Sequence, residues 1–213
     1  MQQKKFDEAA KVFNDFIENN PDDPIGYINF GNLLLHLNET DRAKNFYEKA
    51  LSLDEQLPTA HYSLGNLYYE LEDYQEASKS YQEAIKLGLN ESDAFFMLGM
   101  SLMNLEQAKL ALPYLQRANE LNSEDIDYAF YYGLALAYCE QIEEASKQFD
   151  KVLQLDERHS DAHYNIGVIH TYNENYDKAL EHFNKALDSQ ADHYLAKNGI
   201  NRIKELLNEE KNS

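Results

Sequence analysis

Four side chains with metal-ligating chemistry crowd one short stretch, His159, Asp161, His163 and His170. Imidazole with carboxylate is a donor set that suits zinc or a similar divalent ion. Their register argues for packing instead, because His163 and His170, like His61, fall in apolar rows between helices. The chain has no Gly-x-Ser-x-Gly elbow, no phosphate-binding glycine loop, no His-Glu-x-x-His and no calcium loop. Paired carboxylates along it read as solvated helix faces. The one cysteine, Cys139, stands in the slot that holds Leu37, Leu71 and Leu105 elsewhere, so it reads as small apolar packing rather than a reactive thiol. The expectation is a non-enzymatic protein with no cofactor and no metal.

What the chain carries in quantity is contact chemistry. Tyr62, Tyr69, Phe96, Met97, Met100, Phe130, Tyr131, Tyr138, Tyr164 and Tyr172 recur at related offsets. Aromatic rings supply wide contact area at low entropy cost, tyrosine adds a hydroxyl that needs a partner, and methionine adapts to irregular surfaces. Asn29, Asn32, Asn66 and Asn165 add side-chain amides, each able to pair with a ligand's backbone without reading its sequence. Asp93, Asp127 and Asp161 form an acidic row that suits Lys or Arg. Each group has a plainer reading too: aromatics tucked against neighbouring helices, solvated asparagines, and aspartates that stabilise a helix N-terminus.

The elements that must position these groups announce themselves by a period. Gly31, Gly65, Gly99, Gly133 and Gly167 stand 34 residues apart. Twelve residues after each comes Ala43, Ala77, Ala111, Ala145 or Ala179, and sixteen after each comes Tyr47, Tyr81, Leu115, Phe149 or Phe183. Two small residues and a large apolar one in fixed register describe a unit that packs the same way each time. Apolar spacing within a unit is helical, twice over, with short polar turns between. The pattern predicts helix hairpins separated by stops and starts at Pro21–Pro24, Pro58, Ser92 and Ser160, with Asp23, Ser92 and Ser160 as N-caps. Pro113 falls inside a second helix and predicts a local bend.

Charge narrows the partners. A formal net charge of −19 repels phosphate backbones and anionic headgroups, which argues against nucleic acid and membrane and for apolar or basic protein ligands. No signal peptide or membrane-spanning stretch stands in the sequence, so a cytoplasmic location is expected.

On the glycine, alanine and large-apolar rows the chain resembles the tetratricopeptide repeat (TPR) family. The resemblance implies an all-α fold, a right-handed superhelix of stacked antiparallel helix pairs. Repeats are expected over 24–57, 58–91, 92–125, 126–159 and 160–193, with a half repeat before them (1–23) and a capping helix and tail after (194–213). It also implies that the first helices make a concave groove, where a TPR protein binds an extended peptide or a partner's helix. The aromatic, asparagine and aspartate residues named above then become groove residues. The asparagines partly match those lining the TPR superhelices of O-linked N-acetylglucosamine transferases, and the pattern breaks at Met97, Met100, Tyr131 and Leu134. The basic clamp of chaperone-binding TPRs is inverted here, since its position is taken by Asp93, Asp127 and Asp161. Ala129 replaces the family's bulky ring and predicts looser packing in its repeat. The half repeat, with Phe6, Phe13 and Phe16, reads as a cap, as the mark of a substrate-recruiting segment of a larger enzyme or regulator, or as a self-association face of a structural spacer.

Overall fold

A computed structural model describes residues 2–211, and among them finds twelve α-helices and no strand. Helix α1 spans Gln2–Asn19. Five hairpins follow: α2 (Pro24–His36) with α3 (Thr40–Leu53), α4 (Pro58–Glu70) with α5 (Tyr74–Lys86), α6 (Ser92–Asn104) with α7 (Ala108–Leu121), α8 (Ile126–Tyr138) with α9 (Ile142–Leu155), and α10 (Ser160–Tyr172) with α11 (Tyr176–Ser189). Helix α12 spans Tyr194–Lys211. The chain forms two compact units, Met1–Ala118 and Asn119–Ser213, with the boundary inside α7. In the N-terminal unit the first helices α2, α4 and α6 lie side by side, and in the C-terminal unit α10 lies beside α12.

The glycine row works through what stands opposite it. A Cβ on Gly31 would come within 2.5 Å of the Tyr47 ring, on Gly65 within 2.6 Å of Tyr81, on Gly99 within 2.6 Å of Leu115 and on Gly167 within 2.6 Å of Phe183. The glycine of the first helix therefore admits the large side chain of the second. Tyr47, Tyr81, Leu115 and Phe149 are fully buried and Phe183 nearly so, while Ala43, Ala77, Ala111, Ala145 and Ala179 have no exposure at all. Gly133 has slightly more room, 2.9 Å to Phe149, in the repeat that carries Ala129.

Each hairpin turns through the same backbone device. Asn38, Glu72, Glu106, Glu140 and Glu174 all adopt a left-handed conformation, φ between 59° and 62°. At Glu72 the amide reaches Tyr69 O and that of Asp73 reaches Tyr68 O, so the last carbonyls of α4 are satisfied by a Schellman turn. The same two bonds recur in the other four hairpins. Asp23 caps α2 by accepting from the Ile25 amide at 2.9 Å, ahead of Pro24 in the first turn. The other two expected caps are shifted by one residue. Glu91 occupies the cap of α6, and His159 that of α10, where its Nδ1 accepts from the Ala162 amide at 3.1 Å. Ser92 and Ser160 are instead the first helical residues. Helix α7 runs on through Pro113.

The ends are tied down. In α1, Phe13 stacks on Phe30 at 6.2 Å, Phe6 on His36 at 5.6 Å, and the Phe16 ring lies against Gly26, where a Cβ would come within 2.7 Å of it, so all three phenylalanines serve the packing against α2. Val12 remains outward, 63% exposed, and Phe16 keeps 40% of its surface exposed beside that contact. In α12, Ala196, Ile200 and Ile203 join the core around Phe183, while Lys197, Arg202 and Lys204 are exposed.

Candidate functional site

The C-terminal unit carries a groove of about 590 Å³ between α8, α10 and the start of α12. It gathers seven of the residues singled out above: Phe130, Tyr131, Tyr138, Asp161, Tyr164, Asn165 and Tyr172. Tyr138 and Tyr172, 34 residues apart in register, are 70% and 78% exposed. Phe130 is only 8% exposed, held by Tyr131 (5.5 Å), Phe149 (5.8 Å) and His159 (4.8 Å). Tyr164 stacks on Phe183 at 5.8 Å and His193 at 5.2 Å, and burial raises its hydroxyl pKa. These two rings are floor; Tyr138 and Tyr172 are rim. Asn165 gives one of its two amide hydrogens to the backbone carbonyl of Asp161 at 2.8 Å, so half of its donor capacity is already employed. Leu134, Ile142, Val168 and Leu195 also line the groove. Leu134 and Val168 stand one residue after their glycines, a row whose break from asparagine is what makes this groove apolar. Leu195 comes from outside the repeats, where no row pointed to it.

The N-terminal unit has a smaller groove of about 380 Å³, lined by Asn32, Leu35, His36, Asn66, Tyr69, Glu70 and Met97. Its asparagines have internal partners. The Tyr47 hydroxyl donates to Asn32 Oδ1 at 2.7 Å and the Tyr81 hydroxyl to Asn66 Oδ1 at 2.8 Å. Burial pushes both tyrosine pKa values far up, so the hydroxyls stay protonated and need an acceptor. Asparagine follows the glycine only where tyrosine ends the unit, and Met100, Leu134 and Val168 stand opposite Leu115, Phe149 and Phe183. Tyr62 stacks on Tyr81 at 5.6 Å, and burial raises its pKa, with Asp93 adding to the shift. Asn104 donates to the Tyr69 hydroxyl at 3.3 Å and to the carbonyl of Met100 at 3.0 Å. Phe96 and Met100 are half-buried, and Asn29 is exposed outside the groove. Asp93 and Asp127 are exposed and line neither groove.

Sequence models of the tetratricopeptide repeat match residues 12–45, 31–72, 58–88, 92–125 and 160–192. The chain belongs to the TPR family. Among solved structures it is similar to YrrB, a TPR protein with an unusual peptide-binding site. The two are 49% identical, the match covers 89% of this chain and 98% of that one, and the TM-score is 0.85. MamA of Desulfovibrio magneticus RS-1 is 24% identical over 81% of this chain and 97% of its own, TM-score 0.73. PilF of Pseudomonas aeruginosa is 18% identical over 92% and 90%, TM-score 0.76. These last two share the fold. No curated protein matches the chain.

Away from the groove, this TPR chain places His163, His170 and His182 together between α10 and α11. His163 Nε2 donates to the Glu157 carbonyl at 3.0 Å, which leaves its Nδ1 to accept from His182 Nδ1 at 3.2 Å. His170 lies 5.6 Å from His182, ring to ring, with its Nδ1 buried and unpaired. Burial lowers the pKa of both His163 and His182, the latter to about 4. No set of His, Cys, Asp or Glu among the described residues is arranged to hold a metal ion. Among the described residues, no helix is long and apolar enough to cross a membrane.

Proposed function

We propose that this TPR chain is a non-enzymatic adaptor. It captures an extended peptide or a helix of a protein partner in the groove of the C-terminal unit, and takes apolar or basic segments over acidic ones. The observation that carries this reading is the pair Tyr138 and Tyr172, 70% and 78% exposed above a floor of buried rings. Large aromatic side chains left in water beside an apolar cleft mark a surface that gains by being covered. The peptide-binding site of YrrB, 49% identical, supports the same use of the fold. Displayed random peptides panned against the whole chain test it. Enrichment of sequences that bind wild type and lose at least about tenfold in affinity to a Tyr138→Ala/Tyr172→Ala double variant is the expected result. Enrichment that the double variant retains in full sinks this groove as the site.

Self-association is a second reading, favoured by the exposed Val12 and Phe16 of α1. It predicts a concentration-dependent dimer in sedimentation that Val12→Asp abolishes.

A further inference from the structure

The groove of the C-terminal unit contains one charged group. Among the described residues that line it, Asp161 alone is charged, and no Lys or Arg lines it. Asp161 stands in the first turn of α10 with its side chain 58% exposed. Its Oδ1 accepts from His193 Nε2 at 3.1 Å. His193 is itself fixed: its side chain is 5% exposed, and its Nδ1 accepts from the Ala196 amide at 3.2 Å, where it caps α12. A ring nitrogen that accepts carries no hydrogen, so the imidazole hydrogen sits on Nε2 and points at the carboxylate. Asp161 Oδ2 has no partner among the described residues. The aspartates at the equivalent first turns, Asp93 and Asp127, line neither of the two grooves, so helix-end stabilisation alone does not account for how Asp161 is held.

On the peptide-capture reading above, the geometry points to Asp161 as the residue that selects a partner segment with Lys or Arg next to an aromatic or aliphatic side chain. His193 is its positioning residue. The chemistry is complementary on three counts. A cation's alkyl stem covers apolar lining, its head can lie against a tyrosine face, and the carboxylate takes the charge. The chain's net charge of −19 draws basic segments in and repels acidic ones. With His193 holding Oδ1, the carboxylate is pre-oriented, which spares the ligand the cost of ordering it.

The test uses the whole chain and fluorescein-labelled peptides built on the apolar core that emerges from the displayed library, varied at one flanking residue among Lys, Gln and Glu. Wild type is expected to bind the Lys peptide about fivefold tighter than the Gln peptide, with Glu weakest. Asp161→Asn should bring Lys and Gln peptides to equal affinity. His193→Asn keeps a good N-cap for α12 but is too short to reach Asp161, so it should reduce the ratio of Lys- to Gln-peptide affinity while helix content stays put. Equal binding of all three peptides by wild type, or a Lys preference that survives Asp161→Asn, overturns the inference and leaves peptide capture standing. Binding of none of them removes the capture reading and this one with it.

Discussion

The two grooves are built on one repeat and differ in a single linked choice. Where the buried ring of the second helix is tyrosine, as at Tyr47 and Tyr81, the first helix supplies an asparagine to receive its hydroxyl. The groove then presents amides, with His36 and Glu70 nearby. Where the ring is Phe149 or Phe183, no hydroxyl needs a partner, and Leu134 and Val168 make the groove apolar. The lesson is that core chemistry propagates to the surface: a buried oxygen dictates the polarity of a side chain one helix away. The asparagines therefore belong first to the core and only second to a ligand.

The largest test is to break that link. Asn66→Leu strands the fully buried Tyr81 hydroxyl and should cost about 1–3 kcal/mol. Adding Tyr81→Phe should return most of it, a non-additivity read directly by a double-mutant cycle in urea. The reverse graft, Leu134→Asn with Phe149→Tyr, should be tolerated in the C-terminal unit while Phe149→Tyr alone is not. Additive costs for Asn66→Leu and Tyr81→Phe would mean the asparagine serves something other than the hydroxyl.

Acid should separate the units next. His163 and His182 are held with depressed pKa values by burial, His182 at about 4 against an ordinary 6.5, with Lys185 and His170 adding repulsion against a second proton. The unfolded chain binds protons that the folded pair refuses, so stability is whole above pH 6.5 and drains away as pH falls toward about 4. The N-terminal unit has no such pair among its described residues. Amides of α10 and α11 should lose hydrogen-exchange protection between neutral pH and about pH 5 before those of α4 and α5 do. Simultaneous loss in both units would show that this pair does not set the acid response.

Much of this was legible in the sequence, and what was not has a physical cause. Glycine and alanine rows declare close helix packing because nothing larger fits against Tyr47 or Phe183, so the fold follows from spacing alone. The Asn32 and Asn66 partners were visible too, as tyrosines fifteen residues later, but a side chain on a helix gives no sign of whether its acceptor faces ligand or core. Phe130 and Tyr164 sit in the expected row, yet their rings turn toward Phe149 and Phe183, which only the stacking decides. Asp93, Asp127 and Asp161 are equivalent by register, yet Asp161 lines the C-terminal groove and meets His193 while Asp93 and Asp127 line neither groove. Ser92 and Ser160 look like caps by type, but the chain enters those helices one residue earlier.

A smaller difference separates the repeat of Gly133 from the others, Gly167 of its own unit included, and lies in how tightly glycine meets its ring. Ala at position 65 would press on Tyr81 at 2.6 Å, whereas at 133 it would press on Phe149 at 2.9 Å. Overpacking costs about 1–3 kcal/mol and alanine returns about 1 kcal/mol of helix propensity. Gly65→Ala should therefore destabilise by about 1–2 kcal/mol and Gly133→Ala by close to nothing. Equal costs, measured by urea unfolding, would mean the rings yield alike and the repeat with Ala129 is no looser than the others.

The smallest effect concerns the turns. All five hairpins place a non-glycine residue in the left-handed region, but the N-terminal unit uses Asn38 at one of them while both turns of the C-terminal unit, Glu140 and Glu174, use glutamate. Asparagine enters that region more readily than glutamate, because its short amide can bond locally. Glu140→Asn and Glu174→Asn should each add about 0.5 kcal/mol and raise the melting temperature of the C-terminal unit slightly, and Asn38→Glu should cost the N-terminal unit as much. The side chains are exposed at all three sites, so no packing change confounds the comparison. If the glutamates can be replaced by asparagine with no gain, they hold their turns by interactions of their own, and the two units are better matched at their hairpins than in their grooves.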